Sequence, residues 1–386
     1  MKKNNRHNKF WNRCLVILIS PFLRRIFRFS FRKERLTGPT LVVCNHVTNF
    51  DPLLVSICFP KDHMHFVASE HLFRKGFVTK FLRYVFDPIP RRKGTSGADT
   101  AMACMRKLKE GRSVCLFAEG ECTWDGVTND IFPATGRLAR MSGATLITYR
   151  LEGGFLTAPR WGKGIRKGKM TGRIVGIYTA EDLKAMDKNS ISGLIQRDIF
   201  EDTWENQAKN PIRYKNKHRA ENLQTVLYGC PKCNRMGHLS SKKATLSCDC
   251  GASWEYTEFG TFAPADPFEN IRQWDTWQKQ LLTDQLDAGK LTLSDPGMTL
   301  AEILDGHQQQ TVTQGQLTLE NNRLCCGEMT FALTEIDDMA LVQSRNLLLS
   351  VGTHYYQIHA EDPTCLRKYL AAWKHRICSV QTAVAE

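Results

Sequence analysis

Between Leu41 and Ile177 short apolar runs alternate with amphipathic stretches. TLVVCN, HFVA, FDPIP, RSVCLFAEG, TLITYRLE and GRIVGIY have the length and content of strands, while 52–59, 76–85 and 98–110 carry apolar residues at helical spacing, the last closed by Gly111. Strands and helices in alternation predict a layered α/β domain.

The pattern then changes. Residues 180–225 are polar and read as helical, and 228–262 are rich in cysteine. DPFENIRQWDTWQKQLLTDQLDAG opens on Asp266-Pro267 and places Ile271, Trp274, Trp277 and Leu281 three and four residues apart, which predicts one amphipathic helix of about six turns. From 291 onward, alternating segments with turn signals every eight to twelve residues end in TCLRKYLAAWKHRI, with Leu366, Tyr369, Leu370, Trp373 and Ile377 on one helical face. Short strands capped by a helix resemble, in pattern, a pleckstrin-homology-like or GRAM-like module. The division expected is therefore 1–35, a basic amphipathic segment; 36–225, the α/β domain; 226–263, a metal-ribbon-like segment; 264–290, a linking helix; and 291–386, a mainly-β module.

With 42% hydrophobic and 24% charged residues over 386 positions, each domain can bury a core, which excludes a disordered chain. The net charge of +14 is concentrated: 1–35 holds eleven Lys/Arg against Glu34 alone, a net of +10. In FWNRCLVILISPFLRRIFRFSFRKERL those charges interleave with aromatic and aliphatic residues, and the uninterrupted apolar part, Cys14 to Leu23, is half of the roughly 20 residues that span a bilayer. No small-x-small cleavage site precedes the arginines. The segment reads as a helix lying in the headgroup region and drawn to anionic lipids, in preference to a helix docked on the protein's own core or a nucleic-acid arm. Of fourteen cysteines, ten are scattered singly or paired as Cys325-Cys326, several inside apolar runs, so no disulfide framework is expected. A reducing compartment follows, and with it a peripheral location on the cytoplasmic face of the cell membrane.

VVCNHVTNFDPLLV places His46 and Asp51 five positions apart where a strand gives way to a helix. Read alone, Asp51-Pro52 is also a good helix start, with Asp51 as N-cap and His46 a turn residue. About seventy residues later CLFAEGECTWDG ends a strand on Glu119-Gly120. Together N-H-x-x-x-x-D and F-x-E-G, in this order, resemble the motifs of the glycerolipid acyltransferase family over about residues 36–180. The resemblance implies direct transfer of a fatty acyl group from a thioester donor, acyl-CoA or acyl carrier protein, to a lysophospholipid hydroxyl such as that of 1-acyl-glycerol-3-phosphate. In that chemistry a neutral imidazole takes the hydroxyl proton, and a carboxylate on its other nitrogen fixes the tautomer and favours the imidazolium. His46 would be the base and Asp51 its orienter.

FDPIPRRKG ends in Arg91, Arg92 and Lys93, where the family has an arginine that binds the acceptor phosphate; guanidinium suits phosphate because its fork meets it bidentately. Glu119 and Gly120 fall on the family's acceptor-binding pair. The pattern departs from the family at Ala118, in place of proline, at Glu121-Cys122, in place of a polar residue and arginine, and at GATLITYRLEGG, which has no proline. Arg137 and the run Arg160, Lys163, Arg166, Lys167 and Lys169 are candidates for the missing charge.

YGCPKCNRMGHLSSKKATLSCDCGASWEY holds Cys230-x-x-Cys233 and Cys248-x-Cys250. Two pairs on turns at hairpin separation suit a structural four-thiolate zinc site, with no open position for catalysis and His238 a loop residue. Two rival readings remain. A basic zinc-ribbon protein that binds nucleic acid fits the charge, although the ribbon has no aromatic-basic stripe. An inactive lipid-binding scaffold fits the fold, against which the motif residues are intact.

Overall fold

The computed structural model describes residues 2–69, 83–91, 97–304 and 308–385. Arg92, Lys93 and most of the expected helix 76–85 lie outside them. The chain divides into two compact units, Met1–Arg160 with Gly164–Asn216, and Trp161–Lys163 with Lys217–Glu386.

The first unit is an α/β sandwich. It opens with α1 (Lys2–Phe27) and β1 (Phe29–Phe31) and continues through β2 (Thr40–Cys44), α2 (Asp51–Cys58), β3 (Met64–Ser69), β4 (Ile89–Arg91), α3 (Ala98–Lys109), β5 (Ser113–Phe117), α4 (Ala134–Ser142), β6 (Thr145–Glu152) and β7 (Met170–Tyr178) to α5 (Ala180–Ala185), α6 (Lys188–Ile199) and α7 (Thr203–Lys209). The apolar runs are the strands, in the order β1-β7-β6-β2-β5-β3-β4, parallel throughout except for β6 against β7. β2 sits in the middle and is buried along its whole length. Its period of two sends Val42 and Cys44 into a core shared with α1 and α2, and Leu41 and Val43 into one shared with α3, α4 and α6. Residues 210–222, expected to be helical, are not.

The amino-terminal segment departs from a simple surface helix. Val16, Leu23 and Phe27 of α1 are buried in the first core, and β1 adds Phe29 and a parallel pairing with β7. Each fully buried phenylalanine contributes about 1.5–3 kcal/mol, so this helix is held by its own domain. The side of α1 bearing Phe10, Trp11, Ile17, Leu18 and Phe22 is nonetheless exposed, Leu18 at 76% and Phe22 at 64%. The segment has two apolar faces, and only one is used by the fold. Among the described residues no helix is long and apolar enough to cross a membrane.

The second unit begins with a four-stranded antiparallel sheet, β8 (Leu239–Lys242), β9 (Thr245–Cys248), β10 (Ser253–Tyr256) and β11 (Phe262–Ala263). The expected amphipathic helix is α8 (Ile271–Asp287), whose Trp274 is fully buried between Trp254 and Phe262 and donates from Nε1 to the Gly229 carbonyl at 2.8 Å. Then β12 (Leu293–Ile303), β13 (Gln309–Glu320), β14 (Arg323–Cys326), β15 (Met329–Ala332), β16 (Asp338–Val342), β17 (Asn346–Val351) and β18 (His354–Ala360) form an antiparallel seven-stranded sheet followed by α9 (Arg367–Ala385). Arg367 donates bidentately to the buried Asp275 of α8 at 3.0 and 3.1 Å. Ribbon, helix and β module are one packed unit.

Candidate active site

Two motifs more than seventy residues apart meet because their strands are parallel neighbours. β2 and β5 pair in register as far as Cys44 opposite Phe117, so the chain leaves both strands at the same carboxyl edge, where crevices of such sheets form. β4 reaches that edge too, with Arg91 opposite Ser69 of β3.

His46 and Asp51 are in contact, Nδ1 to Oδ2 at 2.8 Å. An ionised carboxylate only accepts, so Nδ1 carries the proton and the lone pair of the neutral ring is on Nε2. Asp51 is wholly buried; its Oδ2 also accepts from the backbone N–H of Val47 and Thr48 at 2.7 and 3.0 Å, and its Oδ1 from the Thr48 hydroxyl at 2.8 Å. This corrects the helix-cap expectation. Phe50 is the N-cap and Asp51 the first helical residue, because its carboxylate folds back to close the 46–48 turn instead of capping α2.

The loop after β5 wraps the histidine from the other side. Glu119 Oε1 accepts from the His46 backbone N–H at 2.6 Å, Thr123 N donates to the His46 carbonyl at 2.9 Å, and Phe117 stacks on the imidazole with ring centroids 4.4 Å apart. Glu119 Oε2 accepts from Asn129, from the backbone at 2.7 Å and the side-chain amide at 3.0 Å. Burial pushes the Glu119 carboxyl up to about 7, against these N–H groups, which favour its charge. Both oxygens are taken up inside the protein, so this carboxylate braces the base.

Gly120 has φ +74°, and a Cβ there would lie 2.2 Å from the Phe132 ring and 3.2 Å from Arg91 Nη1, so only glycine fits. The Arg91 guanidinium lies 4.2 Å from the centroid of Phe132. Arg91, Gly120 and Glu119 are thus one neighbourhood. The Arg160 guanidinium reaches the same loop, donating to Glu121 Oε2 at 2.8 Å and the Cys122 carbonyl at 3.0 Å while covering Trp124 at 3.7 Å. Of the basic run, this residue joins the motif. Arg137 is exposed on α4, and Arg166 is buried with Nη1 on the Leu156 carbonyl.

Sequence reasoning passed over Cys122 as a departure. Its sulfur is 3.4 Å from both ring nitrogens of His46. Burial pulls the imidazole's pKa down, but this sulfur and the Asp51 carboxylate outweigh it and lift the pKa to about 10. The signal that would have found Cys122 is its place in the motif, three residues beyond the glutamate that holds the histidine backbone.

In the second unit, the ligand atoms of Cys230, Cys233, Cys248 and Cys250 lie within 4.8 Å of one another, with Cys230 and Cys250 at 3.7 Å and Cys233 and Cys248 at 3.9 Å. Zinc–sulfur bonds of about 2.3 Å at a tetrahedral angle put sulfurs about 3.8 Å apart, so the four residues fit such an ion. His238 is turned to Asp249 at 3.1 Å and is not in the cluster.

A family model described as Acyltransferase matches residues 27–152, a span that includes both motifs. Among solved structures, the 1-acyl-sn-glycerophosphate (LPA) acyltransferase PlsC from Thermotoga maritima is 17% identical, over 53% of this chain and 83% of that one, with a TM-score of 0.42. Residues 27–152 are thus an acyltransferase domain, and the chain is an acyltransferase.

Proposed function

We propose that the protein is an O-acyltransferase that moves a fatty acyl group from acyl-CoA or acyl carrier protein to the hydroxyl of a lysophospholipid such as 1-acyl-glycerol-3-phosphate. The observation that carries this reading is the His46–Asp51 pair, with Nδ1 committed to the carboxylate at 2.8 Å and the proton-accepting nitrogen, Nε2, on the opposite edge. His46 takes the acceptor's hydroxyl proton as the oxygen attacks the thioester carbonyl, and Asp51 stabilises the imidazolium. The proton then leaves with the departing thiolate. Arg91, and Arg92 from sequence, hold the acceptor phosphate; Gly120 leaves room beside Arg91.

With the imidazole pKa raised, imidazolium predominates at neutral pH, and the rate rises with pH as the neutral ring becomes populated. The exposed apolar face of α1, within a segment of net +10, supports a peripheral position on an anionic membrane surface, at the cytoplasmic face of the cell membrane. A structural zinc in the cysteine cluster would hold its two turns together. Transfer assays on a panel of lysophospholipids, each with both donors, test the reading; a protein that acylates none of them with either donor would overturn it.

A further inference from the structure

Cys122 is a buried nucleophilic side chain beside His46 that the transfer reaction above does not use. It is 4% exposed, and its sulfur is equidistant, at 3.4 Å, from Nδ1 and Nε2 of His46. In the plane of the ring such a point would collide with Cε1, which lies between the two nitrogens. The sulfur therefore lies over the ring face. Phe117 stacks on the imidazole at 4.4 Å with 23° between planes, and the two groups cannot share one face, so the ring is held between sulfur and phenyl.

The rest of the ring's surroundings are fixed as well. Nδ1 is on Asp51, the backbone N–H of His46 is on Glu119, and its carbonyl accepts from Thr123. The thiol has an acceptor of its own in Asn49 Oδ1 at 3.7 Å, which leaves sulfur lone pairs for the imidazole, and Arg160 anchors the Cys122 carbonyl. Among the described residues, the Nε2 edge is the one left to meet a substrate.

We propose that Cys122 is a positioning residue for acyl transfer, closing the second face of the imidazole and fixing the plane in which Nε2 meets the acceptor hydroxyl. This rests on His46 being the base. A polarisable sulfur over the ring also stabilises the imidazolium as the proton arrives. A ring free to tilt loses alignment, and misplacement of this kind costs up to about a hundredfold in rate.

The test uses the full-length protein with palmitoyl-CoA and 1-acyl-glycerol-3-phosphate, comparing Cys122→Ala and Cys122→Ser across pH and titrating the His46 ring by NMR in each. In Cys122→Ala the expected results are a kcat lowered by about ten- to a hundredfold with KM little changed, and a His46 titration and acidic limb of the pH profile both moved to lower pH. Cys122→Ser, which keeps lone pairs over the ring, should recover part of both. An unmoved His46 titration and pH limb in both variants, with thermal unfolding unchanged, would overturn the role. If His46→Ala retains transfer, the base assignment fails instead, and the NMR titration still decides whether Cys122 governs the ring.

Discussion

The histidine site and the cysteine cluster both gather side chains from distant positions, but by opposite means. His46, Glu119 and Arg91 meet because three strand ends share one edge of a buried sheet, and each is then fixed by hydrogen bonds or packing already present in the protein. The four cysteines come from two turns some twenty residues apart, and what would bond them together is an ion. The first site is supported by the core of its unit; the second, with an ion bound, would support the unit around it. Loss of a residue should therefore cost chemistry in one place and structure in the other.

The largest structural effect is expected at the cysteine cluster. Cys230→Ser replaces a fully buried cysteine of the cluster, and because Gly229 next to it is held by Trp274 and Gln278, loosening should spread from the knuckle into α8. Bound zinc should fall and residues 228–262 should become sensitive to protease, whereas the α/β unit stays protected. A Cys230→Ser protein with a full complement of zinc would erase the contrast.

Next is Arg91→Ala, which should weaken apparent affinity for a phosphate-bearing acceptor by roughly 1.5–3 kcal/mol, as for a charge-assisted hydrogen bond, with a smaller effect on the acyl donor. Steady-state kinetics with each substrate varied separately decide this; equal losses for both would remove Arg91 from the acceptor site.

The smallest effect concerns α1. Deleting 1–35 would also remove buried Phe27 and Phe29, so the cleaner change is Leu18→Glu with Phe22→Glu on the exposed face. Binding to anionic vesicles in a flotation assay should weaken about tenfold, with stability unchanged. Undiminished binding would show that this face is not the docking surface.

The contrast also explains what the sequence could convey. Strands buried on both faces are nearly continuous apolar runs, so β2, β5 and β6 were legible, as was the cysteine spacing, because local turns set it. Features set by tertiary register were not. The sulfur of Cys122 reaches His46 only through the pairing of β2 with β5; Glu119 turns inward because Asn129 and the His46 backbone are there to donate; and Arg367 meets Asp275 across 92 positions. The second face of α1 was hidden for a different reason: a helix apolar on two sides gives one run in sequence, whichever side the fold buries.

The central claim is that His46 is the base of acyl transfer. The most direct measurement is turnover of purified His46→Ala with a thioester donor and a lysophospholipid acceptor, alongside the unaltered protein across pH. Turnover should fall by about two to four orders of magnitude while thermal unfolding and zinc content are unchanged, and in the unaltered protein the rate should climb with pH above neutrality, because a raised imidazole pKa keeps the base form scarce until then. A His46→Ala protein that transfers acyl groups at near-normal rate would contradict it.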